Sequence, residues 1–221
     1  MKQRSRRPDP AGSGRARLRR DGQTSPQLRQ RICVEAARIM AEEGVTDHRL
    51  AKQKALRRLH LDPACTRLPG NREIQAALEE HLRLFQAGEA ARHEQRLCQV
   101  ALRAMNFLVG FGPRLVGDVV KGIFTRHSII QLHLFPDHAD ELVHFLNHHQ
   151  IPFECSERRL RFGGSHYERV PVYRFLVENT PVELIVLRPG DKPARPLDPV
   201  TARPVRRLSL RALEKHLDSR P

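Results

Sequence analysis

Two glycines and several charged or hydroxyl side chains in the middle of the sequence have the spacing of a phosphate-binding turn. Gly117 and Gly122 are five residues apart, so the backbone between them can approach an anion without interference from Cβ atoms. Lys121 and Arg126 add positive charge, with Arg114 nearby. We therefore predict a phosphate site whose members are Gly117, Asp118, Lys121, Gly122, Arg126 and Ser128.

A buried strand is predicted directly after this turn, over residues 128–135. Its apolar and polar residues alternate, which is typical of a strand with one face in a core. The apolar face carries Ile130, Leu132 and Leu134. The opposite face carries Ile129, Gln131 and His133. Two polar side chains are thus presented beside the turn.

The turn and the strand together resemble the signature of the DNA polymerase beta type nucleotidyltransferase superfamily. That signature is a hydrophobic residue before Gly-Ser, a second glycine, and then Ser-Asp-x-Asp on a strand. Gly117, Gly122 and Ser128 match it. Residues 182–186 resemble a later strand of the family, on which Glu183 is the carboxylate. The resemblance extends over residues 111–190.

The resemblance implies that Glu183 and Gln131 stand at catalytic positions. Members of the family use three carboxylates to hold two metal ions, which activate a hydroxyl and stabilise the leaving pyrophosphate. In this chain Ile129 replaces the first aspartate, Gln131 replaces the second, and Asp118 replaces the serine after the first glycine. Isoleucine has no ligand atom and glutamine offers only a neutral oxygen, whereas Mg²⁺ sites are built on carboxylates, waters and phosphates.

Three hypotheses about function remain open at this point. In the first, the protein is a nucleotide- or RNA-binding module that has lost two-metal catalysis, and Mg²⁺ or Mn²⁺ binds weakly or not at all. In the second, it is an active nucleotidyltransferase with a metal site rebuilt from Glu183, Asp118, His133 and Asp137. In the third, it is a basic adaptor for nucleic acids. The simplest alternative is that the glycines only permit tight turns.

The positive charge of the chain is concentrated at its N terminus. The net charge is +14 over 221 residues, and residues 1–31 contain ten Lys or Arg against two Asp. Because this segment also contains Pro and Gly and few apolar residues, we predict a disordered basic tail over residues 1–26. Lys and Arg displace counterions from nucleic-acid phosphates, although a solvated tail without a specific partner is the simpler interpretation.

Cysteine usage and hydropathy point to the cytoplasm. Cys33, Cys65, Cys98 and Cys155 show no paired spacing, which argues against a zinc ribbon or a disulfide framework. The sequence contains no apolar run of membrane-spanning length and no secretory segment. We expect a cytoplasmic protein with no membrane partner. No particular protein partner is indicated.

Helix caps and apolar periodicity predict a helical region over residues 27–110. Four amphipathic helices are expected there. Their caps and stops are Ser25, Gly44, Asp47, Asn71, Gly88 and Gly110. The first two helices also fit a helix-turn-helix whose second helix enters a DNA major groove. A basic helix with one solvated face is the simpler interpretation.

A small mixed sheet is predicted over residues 111–190. A helix capped by Asp137 or Asp140 should follow the strand at 128–135, and three further strands should come next. These strands are expected near residues 153–162, 170–177 and 182–187. Residues 191–221 should form a proline-rich, extended connector and a C-terminal helix from about Ser209. The predicted fold class is α+β, with an N-terminal helical region, a mixed sheet of nucleotidyltransferase type and flanking helices.

Overall fold

Seven α-helices and five strands form the described parts of the chain, which are residues 25–63, 66–85 and 87–219 of a computed structural model. The helices are α1 Pro26–Glu43, α2 His48–Arg58, α3 Asn71–Phe85, α4 Ala87–Phe107, α5 Asp118–Lys121, α6 Ala139–His148 and α7 Leu210–Asp218. The strands are β1 Arg114–Val116, β2 Ile130–Leu134, β3 Glu154–Gly163, β4 His166–Val177 and β5 Thr180–Val186. Apart from Ser25 and Pro26, the predicted basic tail lies outside the described residues, as does Cys65.

The first two helices begin and end at the predicted residues. The Ser25 hydroxyl and the Asp47 carboxylate accept backbone hydrogen bonds from the first turns of α1 and α2. Gly44 ends α1 in the left-handed conformation. Asn71, predicted as a cap, is instead the first residue of α3. Among the described helices, none combines the length and apolar character needed to cross a lipid bilayer.

The helical region divides between two hydrophobic cores. Helices α1, α2 and α3 enclose the first core, whose largest buried side chains include Ile32, Ile39, Leu56 and Ile74. Helix α4 instead packs on the sheet, where Met105 and Leu108 join the second core. The C-terminal helix α7 packs against α4 and contributes Leu213 to the same core. The predicted connector and C-terminal helix are therefore integral to the sheet layer.

Five strands form one mixed sheet in the order β1-β2-β5-β4-β3. Strands β2 and β5 are parallel, and every other neighbouring pair is antiparallel. Glu178 and Asn179 connect β4 to β5 with φ values of 49° and 62°, as two-residue hairpin turns require. The strands predicted near residues 170–177 and 182–187 are confirmed and form a hairpin, and Thr180 and Pro181 belong to β5. The α+β class with a mixed sheet is confirmed as well.

The two faces of the sheet carry different kinds of side chain. The helix-covered face buries apolar residues of the central strands, including Ile130, Leu132, Leu134, Val182 and Leu184. The opposite face has a smaller apolar cluster of Phe135, Val170, Val172, Ile185 and Leu187. Beside that cluster lie Gln131, His133 and Glu183. The alternation predicted for residues 128–135 is confirmed, within a strand that spans Ile130–Leu134.

Helix α6 begins without the predicted carboxylate cap. Its N-cap is His138, which makes no capping hydrogen bond through its side chain. Asp140 lies inside the first turn, where a negative charge interacts favourably with the positive end of the helix dipole. Asp137 precedes the cap. The acidic residues here therefore act through charge and not as hydrogen-bonded caps.

The proline-rich segment folds back over the sheet, so the prediction of an extended connector was wrong. Residues 196–205 form a small hairpin, called the roof below, in which Leu197 pairs with Pro204. Asp198 closes its turn by accepting hydrogen bonds from two backbone N–H groups at 2.9 and 2.8 Å. These side-chain bonds add to backbone hydrogen bonds from Asp198 N–H to the Arg203 carbonyl and from Val205 N–H to the Pro196 carbonyl, so the segment forms a hairpin despite its prolines.

Candidate ligand-binding cleft

A cleft of about 630 Å³ lies between the polar face of the sheet and the helices at the N-terminal end of the chain. Its floor consists of Gln131, His133, Arg158, Arg174 and Glu183. Helix α5 and the turn before it form one wall, and residues of the roof also line the cleft. The volume is in the range of small-molecule sites.

Glu183 is the buried carboxylate at the centre of the floor. Its exposed fraction is 2%. In the parallel register of β2 and β5 it is paired with Gln131, and the Gln131 amide donates to Glu183 Oε2 at 2.8 Å. The two residues to which the family resemblance assigns catalytic positions are therefore in contact. This contact depends on two strands that are far apart in sequence but adjacent in the sheet.

Two arginines neutralise this carboxylate. Arg158 Nη2 donates to Oε2 of Glu183 at 2.8 Å, and Arg174 Nη2 donates to Oε1. Burial alone would raise the pKa of Glu183, but Arg174, Arg158 and the Gln131 amide outweigh it and hold the pKa below its usual range. The two arginine side chains keep 36% and 47% of their surface exposed toward solvent. The group of three side chains has a net charge of +1.

The positions that correspond to the family's carboxylates do not fit a pair of divalent cations. Ile129 lines the cleft with an apolar side chain, and Gln131 turns its amide N–H₂ toward Glu183. Both oxygens of Glu183 already accept bonds from guanidinium groups, so a cation would have to displace them. Within residues 25–63, 66–85 and 87–219, no three His, Cys, Asp or Glu side chains are grouped as metal ligands.

The ligands predicted for a rebuilt metal site are also dispersed. His133 is 2% exposed, and its Nδ1 accepts a hydrogen bond from Arg207 Nε at 3.0 Å. Burial, together with Arg207 and Arg158, lowers the pKa of His133 to about 3, so the ring is neutral. Asp137 lies in a different pocket beside Arg169 and outside the cleft. His133 therefore holds Arg207 in place rather than a metal ion.

Arg207 connects the floor to the proline-rich segment. Its guanidinium donates to the Lys192 carbonyl at 2.7 Å and to the Ala194 carbonyl at 3.3 Å. It also lies over the Phe135 ring, 5.0 Å from the ring centroid. Burial lowers the pKa of Arg207 to about 10, and the side chain stays protonated at neutral pH. The chain before the roof is thereby fixed to strand β2.

Asp118 and Lys121 project into the cleft from α5. The Asp118 side chain keeps 45% of its surface exposed. The protein atoms packed around its carboxylate still remove part of its hydration, which raises the pKa of Asp118. The Lys121 ammonium lies 2.7 Å from Asp198 Oδ2 of the roof and 3.9 Å from Asp118 Oδ1. Lys121, which we predicted to bind a phosphate, thus forms an ion pair with Asp198.

The two glycines of the predicted turn have different roles. Gly117 has φ 79° and ψ −151°, a conformation that is essentially limited to glycine. A Cβ atom at Gly117 would also collide with Oε1 of Gln131. Gly122 ends α5 with φ 76° and ψ 24°, but a Cβ there would meet open space. The first glycine therefore brings the turn against strand β2, and the second only ends a short helix.

The predicted phosphate site is only partly assembled. Gly117, Asp118, Lys121 and Ser128 line the cleft, whereas Gly122 and Arg126 do not. The Arg126 guanidinium donates to the backbone carbonyl at the end of α1, at 2.7 Å. Ser128 is buried, and its Oγ accepts a hydrogen bond from the Thr125 N–H at 2.8 Å. The Ser128 hydroxyl therefore closes a turn, and phosphate binding by Gly122, Arg126 and Ser128 stays a prediction.

Sequence reasoning missed most of the positive charge in the cleft. The missed residues are Arg158, Arg159, Arg161 and Arg174 of the β3–β4 hairpin. Alternation of charged and apolar residues predicted the strands. This alternation does not predict the strand order, which is what places Arg158 and Arg174 beside Glu183. Asp198 was missed for a similar reason, because only the folded roof brings it to Lys121.

A comparison with protein-family profiles finds no match to this sequence, and a comparison with curated proteins finds no significantly similar chain. The resemblance to nucleotidyltransferases therefore depends on the positions that match, Gly117, Gly122, Ser128 and Glu183.

Proposed function

We propose that this protein is a nucleotidyltransferase-like module that binds a nucleotide or RNA without the help of metal ions. The arrangement around Glu183 is the main support. In the family this carboxylate holds cations, and here Arg158 and Arg174 supply the positive charge instead. The pairing of positions 131 and 183 on adjacent parallel strands supports the family resemblance.

The charge of the cleft favours an anionic ligand. Its cationic residues are Lys121, Arg158, Arg159, Arg161 and Arg174, and its acidic residues are Asp118, Glu183 and Asp198. Because the two floor arginines are partly exposed, their remaining N–H groups are available to phosphate oxygens. Guanidinium groups bind phosphate through paired hydrogen bonds, and Glu183 holds both groups in a defined orientation.

The same residues support binding better than group transfer. Nucleotidyl transfer needs a base that accepts the proton of the attacking hydroxyl and cations that stabilise the leaving group. Ile129 and Gln131 cannot accept a proton at neutral pH. Glu183 is a poor base because its pKa is lowered and both oxygens accept hydrogen bonds. The arginines can neutralise a phosphate, but no side chain of the floor is arranged to activate a nucleophile.

Nucleotide binding in EDTA tests this proposal. We expect the full-length protein to bind nucleoside triphosphates in EDTA, with a Kd that changes less than about threefold when Mg²⁺ or Mn²⁺ is added. Arg174→Gln should weaken binding about tenfold or more, since a hydrogen bond to a charged group contributes roughly 1.5–3 kcal/mol. Isothermal calorimetry measures both effects.

Arg169→Gln is the matched control, because Arg169 lies on the same strand with 79% of its side chain exposed and does not line the cleft. Its Kd should stay close to that of the unaltered protein. Circular dichroism of both variants checks that they are folded. Binding that requires Mg²⁺ or Mn²⁺, or pyrophosphate released from the nucleotide, would overturn the proposal in favour of an active transferase.

A further inference from the structure

The ion pair between Lys121 and Asp198 joins helix α5 to the roof inside the cleft. The Lys121 ammonium lies 2.7 Å from Asp198 Oδ2, and both residues line the cleft. Asp198 is 7% exposed, whereas the Lys121 side chain keeps 36% of its surface exposed. A cation of the cleft is therefore already paired with a carboxylate of the protein itself.

The carboxylate of Asp198 makes its contacts through two different oxygens. Oδ1 accepts the hydrogen bonds from the Val200 and Thr201 N–H groups that close the turn of the roof. Oδ2 faces Lys121. Burial alone would raise the pKa of Asp198, but Lys121 and the two N–H groups outweigh it and hold the pKa below its usual range. A substitution that keeps Oδ1 can therefore remove the ion pair without removing the turn.

Lys121 has a second acidic neighbour, so its charge is more than compensated by the protein. Asp118 Oδ1 lies 3.9 Å from the same ammonium. With all three groups ionised, Lys121, Asp118 and Asp198 have a net charge of −1 at this wall of the cleft. The group around Glu183 on the floor has a net charge of +1. An anion that is attracted to the floor is thus repelled at the wall unless one carboxylate moves away.

The roof is held mainly by polar contacts. Within the part of the chain that the structure describes, the three apolar clusters contain no residue of 196–205. The Leu197 N–H donates to the Arg161 carbonyl of β3, and the Thr201 carbonyl accepts a hydrogen bond from the exposed Arg72 at 2.7 Å. Segments with few buried apolar contacts and exposed hydrogen bonds open locally with a small change in free energy. The roof can therefore move while the sheet stays intact.

We propose that Asp198 occupies the position of a ligand phosphate at Lys121, so that the ligand must displace Asp198 and release the roof. An ammonium group binds carboxylate and phosphate alike, and a phosphate carries up to two negative charges. The competition lowers the apparent affinity, because only the fraction of molecules with a free Lys121 presents the whole site. This inference rests on the proposed function and gives the roof a regulatory role in it.

Asp198→Asn tests the competition, because the amide oxygen can still close the turn while the negative charge is lost. With the full-length protein in EDTA, we expect the Kd for uridine triphosphate in isothermal calorimetry to fall about threefold or more. Lys121→Gln should weaken binding about threefold or more. In that background Asp198→Asn should add little affinity, because no ammonium is left to be freed.

Glu157→Gln is the matched control, because Glu157 also faces a cation, Arg169 at 3.8 Å, but does not line the cleft. Its Kd should stay within about twofold of that of the unaltered protein, since exposed charges outside the site are screened by salt. Hydrogen exchange gives a second measurement on the unaltered protein. When uridine triphosphate binds, the backbone amides of the roof should exchange faster, because displacement of Asp198 releases this segment.

Two kinds of result would overturn the inference. The first is an Asp198→Asn variant that binds no more tightly than the unaltered protein, or whose gain is matched by Glu157→Gln or persists fully with Lys121→Gln. The second is slower or unchanged exchange of the roof with bound nucleotide, a measurement that needs no variant. In either case, binding by the unaltered protein that Arg174→Gln weakens would leave the proposed function intact. If the unaltered protein and Asp198→Asn both fail to bind the triphosphate, the proposed function fails together with the inference.

Discussion

The two faces of the five-stranded sheet are stabilised in different ways. On one face of β2, Leu132 and its neighbours fill an apolar core under helices. On the other face, Gln131 and His133 are held by Glu183 and Arg207 from distant parts of the chain. Alternate residues of one strand thus serve the core and the cleft. We therefore expect substitutions on the helix-covered face to change stability without changing the cleft.

A cavity on the helix-covered face should have the largest effect. Leu132 is fully buried, so Leu132→Ala should lower the free energy of unfolding by about 2–5 kcal/mol. Because its side chain points away from the cleft, nucleotide affinity of the folded fraction should not change. Urea denaturation and calorimetry measure the two quantities. A loss of affinity in folded Leu132→Ala would mean that the two faces are coupled.

Acid should destabilise the protein through His133 on the cleft face. The unfolded ring has a pKa near 6.5, whereas burial with two neighbouring arginines lowers the folded pKa to about 3. The unfolded state therefore binds a proton that the folded state does not, and stability is lost as pH falls from about 6.5 toward 3. At about pH 5 the loss is about 2 kcal/mol.

His133→Gln tests the pH prediction, because glutamine accepts the bond from Arg207 but does not titrate. Urea denaturation at about pH 7.5 and about pH 5 should show a smaller loss for this variant than for the unaltered protein. Equal losses would show that other groups, such as the carboxylates with lowered pKa values, account for the acid sensitivity.

The smallest expected effect is the difference in stability between alanine substitutions at the two glycines beside the cleft. Gly117→Ala places a Cβ against Gln131 and forces an unfavourable backbone conformation, which should cost about 1–3 kcal/mol. Gly122→Ala has open space and should cost only about 1 kcal/mol. Gly117→Ala should also weaken nucleotide binding, because it displaces Gln131 from Glu183. Equal behaviour in both assays would show that the turn does not support the floor.

Local sequence patterns predicted the elements better than they predicted the site. The caps at Ser25 and Asp47 and the alternation around Leu132 depend on near neighbours, so the sequence reports them directly. Only the resemblance to a known family connected Gln131 with Glu183, as two catalytic positions. Their contact requires β2 and β5 to be neighbours in the sheet, and local periodicity does not predict the order of strands.

The errors have a common physical cause. Arg158 and Arg174 were overlooked because only the sheet order brings them to Glu183. Asp198 was overlooked because proline content predicted an extended segment, whereas the carboxylate itself closes a turn there. Arg126 was grouped with the phosphate site because of its charge, and its contact with the Glu42 backbone carbonyl could not be seen in the sequence. Each of these contacts joins residues whose proximity is created by the folded chain.

The segment that includes the roof touches both outermost strands of the sheet. The Leu197 N–H donates to the Arg161 carbonyl of β3, and Leu208 pairs with Leu115 of β1. Outer strands with free backbone groups are templates for pairing with other molecules, and covering them suppresses aggregation. Shortening this segment would therefore uncover the cleft and both sheet edges together, and a change in ligand access would be accompanied by self-association.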